Sequence, residues 1–250
     1  MSKLPDDAWM RFIESFISRD SLRNCTDECG VCLRTAWFMR HRVMECIKRY
    51  NPAFNNGAGD RVEIDETYFR DSYKGYEHAN SKLTMPRPVR TSGKKAAKRG
   101  LSKEQVCVVA GIDDKGASFL LVAGRGILGK ARALRALTGR IGAGALVVTD
   151  KAGSYPAVLK TLGTELKQTD ATEHGINRAN SNSLHARLKD FMKPFKSVST
   201  KYLQSYLSWF QWTEAFRSKP TKQQRTMGCQ VRGGTYRHAR SAYINMPLTI

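Results

Sequence analysis

The sequence predicts an α/β sheet fold preceded by a short all-helical segment. Three observations lead there. Up to residue 50 the apolar residues recur with a helical period, and beyond residue 60 they alternate or run in short blocks. In GALVVTD (144–150) a buried strand ends in an aspartate and a helix follows at once, as in open α/β sheets. The 250 residues are 41% hydrophobic, with 10 Phe, 9 Tyr and 4 Trp, which is enough to fill a core and excludes a disordered chain; 20 Gly and 8 Pro exclude a collagen-like one.

Within residues 8–24, Trp9, Phe12, Ile13 and Phe16 share a helical face, and Asp20-Ser21 offers an N-cap for a second helix. The stretch SLRNCTDECG is that short helix, ending at Gly30. A longer helix runs from about Leu33 to Tyr50, with Ala36, Met39, Val43, Cys46, Ile47 and Tyr50 in helical period. Arg34, His41, Arg42, Lys48 and Arg49 lie largely off that stripe. Helix, glycine turn and helix with a basic outer face is the build of a helix-turn-helix reader. Residues 1–50 are therefore assigned to DNA binding, with Arg34, Arg42, Lys48 and Arg49 as the contact residues; a small packing domain with solvated charges has the same pattern.

Residues 51–60 (NPAFNNGAGD) read as a linker. RVEIDETYF (61–69), QVCVVAGID (105–113) and ASFLLVAG (117–124) read as strands, the last two joined by a DDKG turn. Ile127 to Arg140 and SYPAVLKTLG (154–163) suit helices on either side of the strand that ends at Asp150. From Asn177 the pattern is helical again, with Leu184, Leu188, Phe191 and Met192 on one stripe and Pro194 ending it. Residues 200–217 form a helix that is apolar on most sides, which must be deeply buried or packed on a partner. The second unit thus spans 61–217, and 218–250 is a basic, turn-rich tail with no clear element.

The charge narrows the partners. Lys and Arg number 42 against 22 Asp and Glu, a net +20, with a pI near 10.0, which points to a polyanion. The excess is densest between Lys82 and Lys103, a loop with eight basic residues. Arg90, Lys94, Lys95, Lys98 and Arg99 there suit a flexible arm on phosphates, or a merely solvated loop. No apolar run approaches the ~18 residues of a membrane span, and MSKLPDDAWM lacks the pattern of a signal peptide, so a cytoplasmic protein is expected. Cys25, Cys29 and Cys32 supply three ligands of a four-ligand zinc site, with His41 as a candidate fourth; core thiols are the preferred reading.

The carboxylates carry the chemistry. Asp65 lies inside an apolar strand, where a charge is costly to bury unless it is paired or binds a metal. Asp150 lies at the carboxyl end of another strand, where open α/β sheets bind ligands, although such an aspartate can also simply cap a helix. Two strand aspartates that converge suit divalent cations, and Mg²⁺ takes one or two carboxylates together with water and phosphate oxygens. A third ligand is expected on the late helix. Positions seven apart are nearly in register, so Asn182 and Lys189 share a face with His185 between them, the apolar stripe lying roughly opposite. By itself this is also the pattern of a solvated face.

At these residues a resemblance becomes specific. VEIDETYFRDSYKG, the strand ending VVTD, and NSLHARLKDFM…FKSVSTKYLQSYLSWFQW resemble bacterial insertion-sequence transposases of the ISXO-like type. CGVCLRTAWFMRHRV resembles the helix-turn-helix that precedes the core in that family, so the likeness runs from about Leu4 to Phe216. It implies an RNase H-like core, a mixed sheet flanked by helices, with a D-D-N/E…K catalytic pattern. It also implies Mg²⁺- or Mn²⁺-dependent cutting and strand transfer on double-stranded DNA. Asp65 and Asp150 match the metal-binding aspartates, Asn182 the Asn/Glu position and Lys189 the lysine seven residues later; His185 also falls in the motif. Acting on two element ends implies a homodimer or larger assembly, at the bacterial nucleoid.

Members of that family usually begin with a zinc ribbon of CxxC pairs. None precedes the helical segment here, so no structural zinc is expected and a truncated copy, an internal start or a short variant is the reading. Two other functions fit part of the pattern: a decayed or truncated transposase acting only by binding DNA, and a basic RNA-associated protein. The second leaves the strand aspartates unexplained.

Overall fold

The computed structural model describes residues 4–75, 105–169, 179–217, 220–233 and 240–247. The basic loop from 82 to 103, with Arg90, Lys94, Lys95, Lys98 and Arg99, lies outside the described residues.

The chain opens with three helices. Helix α1 (Asp6–Ile17) has Asp6 and Asp7 in its first turn, where carboxylates meet the positive end of the helix dipole, and it buries Phe12, Ile13 and Phe16. Helix α2 (Leu22–Cys29) starts at Ser21, whose hydroxyl accepts the Asn24 N–H at 3.1 Å. It stops at Gly30, whose φ of 63° is left-handed and free of the penalty a Cβ would bring. Helix α3 (Leu33–Lys48) comes next.

The sheet contains β1 (Arg61–Arg70), β2 (Gln105–Asp113), β3 (Ser118–Arg125), β4 (Leu146–Thr149) and β5 (Glu165–Gln168), in the order β3-β2-β1-β4-β5. The pairs β1–β2 and β2–β3 are antiparallel, and β1–β4 and β4–β5 are parallel. Parallel neighbours need a crossover, and here helices α4 (Lys130–Leu137) and α5 (Tyr155–Thr161) supply it. Then come α6 (Ala179–Met192), α7 (Leu203–Ala215), α8 (Pro220–Gly233) and α9 (Arg240–Ile244). The mixed sheet flanked by helices is the architecture expected of an RNase H-like core.

Strand periodicity sorts the two faces. On β2, Val106, Val108, Ala110 and Ile112 join a core with α1–α3, α6 and α7, whereas Cys107 and Val109 join the core under α4 and α5. On β1, Val62 and Ile64 belong to the α4/α5 face, so Glu63 and Asp65 point to the α6 face. The N-terminal helices share the first core with the sheet: Phe16 of α1 stacks on Trp209 of α7 with centroids 3.7 Å apart. The connecting residues 51–60 also pack, with Phe54 buried against Phe119 and Asn56 bridging to Ile141.

One glycine is dictated by packing. A Cβ on Gly111 of β2 would lie 2.1 Å from Cε1 of Phe119, its ladder partner on β3, so the ring rests on bare backbone. The backbone of β3, the end strand of the order, is engaged from the side by Gln204, which accepts from Val122 N–H at 2.9 Å and donates to the Leu120 carbonyl at 3.0 Å.

Two expectations are corrected and one strand was not anticipated. The tail beyond residue 218 contains a fourteen-residue helix, α8, held by buried Met227 and Val231 four residues apart. Strand β5 (ELKQ) offered a single apolar residue, Leu166, because its residues are alternately exposed and half-buried. His41 is buried rather than on an outer basic face: it packs against Trp37, Tyr202 and Tyr243, the last two from elements that fold back onto α3. Cys25 and Cys29 are buried thiols in the helical core and Cys32 is exposed. Among the described residues no helix is long and apolar enough to cross a membrane.

Candidate active site

The sheet register brings the two aspartates together. The parallel β1–β4 ladder runs to the pair Glu63↔Val148, so two residues further on Asp65 stands level with Asp150. Strand β4 ends at Thr149 while β1 continues to Arg70, which leaves a notch along β1. Asp65 enters the notch from one face of β1 and Glu66 from the other. The ligand oxygens of Asp65, Glu66 and Asp150 all lie within 4.8 Å of one another, and all three residues are partly buried.

Backbone hydrogen bonds fix this geometry. Asp65 Oδ1 accepts the Glu66 N–H at 2.9 Å. Asp150 Oδ1 accepts the Ala152 N–H at 3.0 Å, and the Asp150 carbonyl accepts from the Thr149 hydroxyl at 2.8 Å and from Gln168 Nε2 at 3.0 Å. Burial raises the Glu66 carboxyl above its ordinary pKa, and the charges of Asp150 and Asp65 add to the effect. Burial likewise holds the Tyr155 phenol well above its usual value, with the Glu66 carboxylate adding to it.

Helix α6 covers the Asp65 face. Its first turn is tied to β1 by Glu63, a buried carboxylate that accepts the Ser181 N–H at 2.9 Å and pairs with Arg61 at 3.0 Å. His185, one turn on, brings Nδ1 to 3.8 Å from Asp65 Oδ2. Ser181, Leu184, His185, Leu188 and Phe191 form the buried arc of this helix. Asn182 and Lys189 are exposed at its margin, three residues before and four after His185. The His185 face is therefore not a solvated one.

Residues 57–215 match the ISXO2-like transposase domain. The chain belongs to the ISXO2-like transposase family. A comparison with curated proteins finds no match. Among solved structures, a chain of the simian T-cell lymphotropic virus intasome in complex with PP2A regulatory subunit B56 gamma is 14% identical, over 81% of this chain and 67% of that one, with a TM-score of 0.37. A pre-cleavage Mos1 transpososome is 13% identical over 95% and 81%, with a TM-score of 0.30. The Mos1 mariner paired end complex with Mn is 14% identical over 94% and 81%, also at 0.30.

In this transposase the acidic cluster has the donor chemistry of a divalent-cation site. Three carboxylates within 4.8 Å repel one another without a cation between them, and oxygen donors suit Mg²⁺ or Mn²⁺. Glu66 and Tyr155 escaped the sequence reading. Strand alternation puts Glu66 opposite Asp65, and only the early end of β4 lets both reach Asp150. The adjacent acid in the run DET was the one signal the sequence held.

The proposed DNA-contact residues of the transposase are spread along α3. Arg34 is exposed in its first turn, and Lys48 and Arg49 are exposed at its C-terminal end. Arg42 is half-buried, with its guanidinium 4.6 Å from the Phe38 ring centroid. A groove of about 680 Å³ between the β2–β3 turn and the ends of α6 and α7 is lined by Lys115, Arg187, Arg217 and Glu214, among others, and contains none of the acidic cluster.

Proposed function

We propose that this transposase cuts DNA at the ends of an insertion sequence and joins the freed strands to target DNA, using divalent metal ions held by Asp65 and Asp150. The observation that carries this is the convergence of those two carboxylates, from neighbouring parallel strands, inside the stretch that matches the transposase domain. Mg²⁺ or Mn²⁺ bound there would act as a Lewis acid, activating the attacking oxygen and neutralising charge on the scissile phosphate.

The chain's own residues do the rest. Asp65 and Asp150 are fixed by backbone hydrogen bonds before any substrate arrives. His185, packed beside Asp65, orients that carboxylate from the α6 face. Asn182 adds an uncharged oxygen, and Lys189 presents its ammonium to a phosphate from the exposed margin of the same helix. Hydrolysis leaves a 3′-OH on the element, and that hydroxyl then attacks the target phosphodiester. The nucleophiles are water and DNA, so no Ser or Tyr forms a covalent link. Arg34, Arg42, Lys48, Arg49 and the basic loop hold the double-stranded DNA backbone. Two copies or more act on paired ends, in the cytoplasm at the nucleoid.

The test is Asp65→Cys. A thiolate is a poor ligand for hard Mg²⁺ and a better one for Mn²⁺. Cleavage of DNA carrying the element's ends should be lost in Mg²⁺ and partly restored in Mn²⁺. Wild-type cleavage by this variant in Mg²⁺ would overturn the assignment.

A further inference from the structure

We propose that Glu66 is a third carboxylate ligand of the metal site and that Tyr155 positions it. This rests on the metal-dependent reading above and deepens it.

Glu66 comes from the face of β1 opposite Asp65, yet its carboxylate lies within 4.8 Å of the ligand oxygens of both Asp65 and Asp150. A strand residue on that face would ordinarily point into the α4/α5 core, as Val62 and Ile64 do. Glu66 instead turns its oxygens into the notch beyond β4.

Tyr155 is the independent observation. It is 0% exposed, and among the described residues its hydroxyl completes no hydrogen bond. Leaving a buried hydroxyl unsatisfied is costly, so such a group is kept for a partner. The charges that act on it are those of Glu66, Asp65 and Asp150, and Glu66 is the one of the three that also approaches it as a hydrogen-bond acceptor. Asp150 is acceptor-bound to Ala152 N–H and Asp65 to Glu66 N–H, each through Oδ1. Glu66 reaches the notch from the same side of the sheet as α5, on which Tyr155 stands. A phenol donating to one Glu66 oxygen leaves the other to face the cation. Tyr155 also begins α5 five residues after Asp150, with Pro156 fixing the first turn, so one short turn carries both a ligand and the group that orients another.

The experiment is a titration of the full chain with Mn²⁺, followed by the loss of the free-ion paramagnetic resonance signal. Wild type is compared with Glu66→Gln, Tyr155→Phe, the double variant, Asp65→Ala and Asp150→Ala, each checked by circular dichroism melting. Glu66→Gln should weaken Mn²⁺ binding by about tenfold or more, and Tyr155→Phe, which keeps the ring in place, by a smaller factor. The double variant should bind no more weakly than Glu66→Gln alone, because Tyr155 acts through Glu66. Wild-type affinity in Glu66→Gln, with affinity lost in Asp150→Ala, would overturn the third ligand. Additive losses in the double variant would overturn the positioning role. If Asp65→Ala and Asp150→Ala both bind like wild type, the underlying metal reading has failed instead. Should Glu66→Gln not fold, Tyr155→Phe decides: unchanged affinity overturns the proposal.

Discussion

The Glu63 carboxylate accepts the backbone N–H of Ser181 at 2.9 Å, tying strand β1 to the first turn of helix α6. Both residues are 1% exposed, so this is a helix cap supplied from a distant strand. The tie sets the height of α6 on the sheet. Two residues along the strand is Asp65, four along the helix is His185, and these two meet at 3.8 Å.

Removing the cap should therefore loosen the site as well as the fold. Glu63→Ala leaves a buried N–H unsatisfied and frees Arg61 from one of its carboxylates, a loss of about 1–3 kcal/mol in urea unfolding. Glu63→Gln keeps an acceptor and should lose less. A Glu63→Ala protein as stable as wild type would show that α6 is held by its apolar arc alone.

His41 predicts a pH dependence. Burial among Trp37, Tyr202 and Tyr243, helped by the charges of Arg40 and Lys201, lowers its pKa from 6.5 to about 3. Between those values the unfolded chain binds a proton that the folded chain does not, so stability rises with pH through this window and falls as pH drops below 6.5. Going from pH 7 to pH 5 should cost about 2 kcal/mol through this group. Unfolding free energies of wild type and His41→Leu at the two pH values should differ in slope by that amount. Parallel slopes would place His41 in contact with water.

Gly111→Ala should destabilise the sheet by about 1–3 kcal/mol, because its methyl would enter the Phe119 ring. Phe119→Leu in the same chain should recover part of the loss. Additive losses in the double variant would mean that the ring is not what excludes a side chain at 111.

Lys48→Ala with Arg49→Ala should weaken binding to any duplex and flatten the slope of log affinity against log salt by about 0.9 for each phosphate no longer neutralised. An unchanged slope would move the DNA surface away from the end of α3.

The fold was readable where side chains carried it. The strand RVEIDETYF, the buried block before Asp150 and the Ser21…Gly30 helix all lie where the pattern put them. The elements that escaped depend on distant partners. β5 has a single apolar residue, Leu166, and is completed by pairing with β4, α8 is anchored among its described side chains by Met227 and Val231, and His41 is covered by elements some 160 to 200 residues later in the chain. In the site, Asp65 and Asp150 were legible because charges at a strand centre and a strand end demand explanation. Glu66 was not, because alternation assigns neighbouring residues to opposite faces, and only the unequal lengths of β1 and β4 cancel that rule.

If Asp65 and Asp150 form one centre for metal-dependent DNA cutting, losing either should stop the chemistry and spare the binding. Mg²⁺-dependent cleavage of DNA carrying the element's ends, wild type against Asp150→Ala, puts this to the test, with DNA binding measured on the same samples. Wild type alone should cleave, chelation should abolish it, and the two proteins should bind nearly equally. Cleavage by Asp150→Ala at the wild-type rate would contradict a shared metal centre. So would binding without cleavage by either protein, which is the behaviour of a DNA-binding remnant.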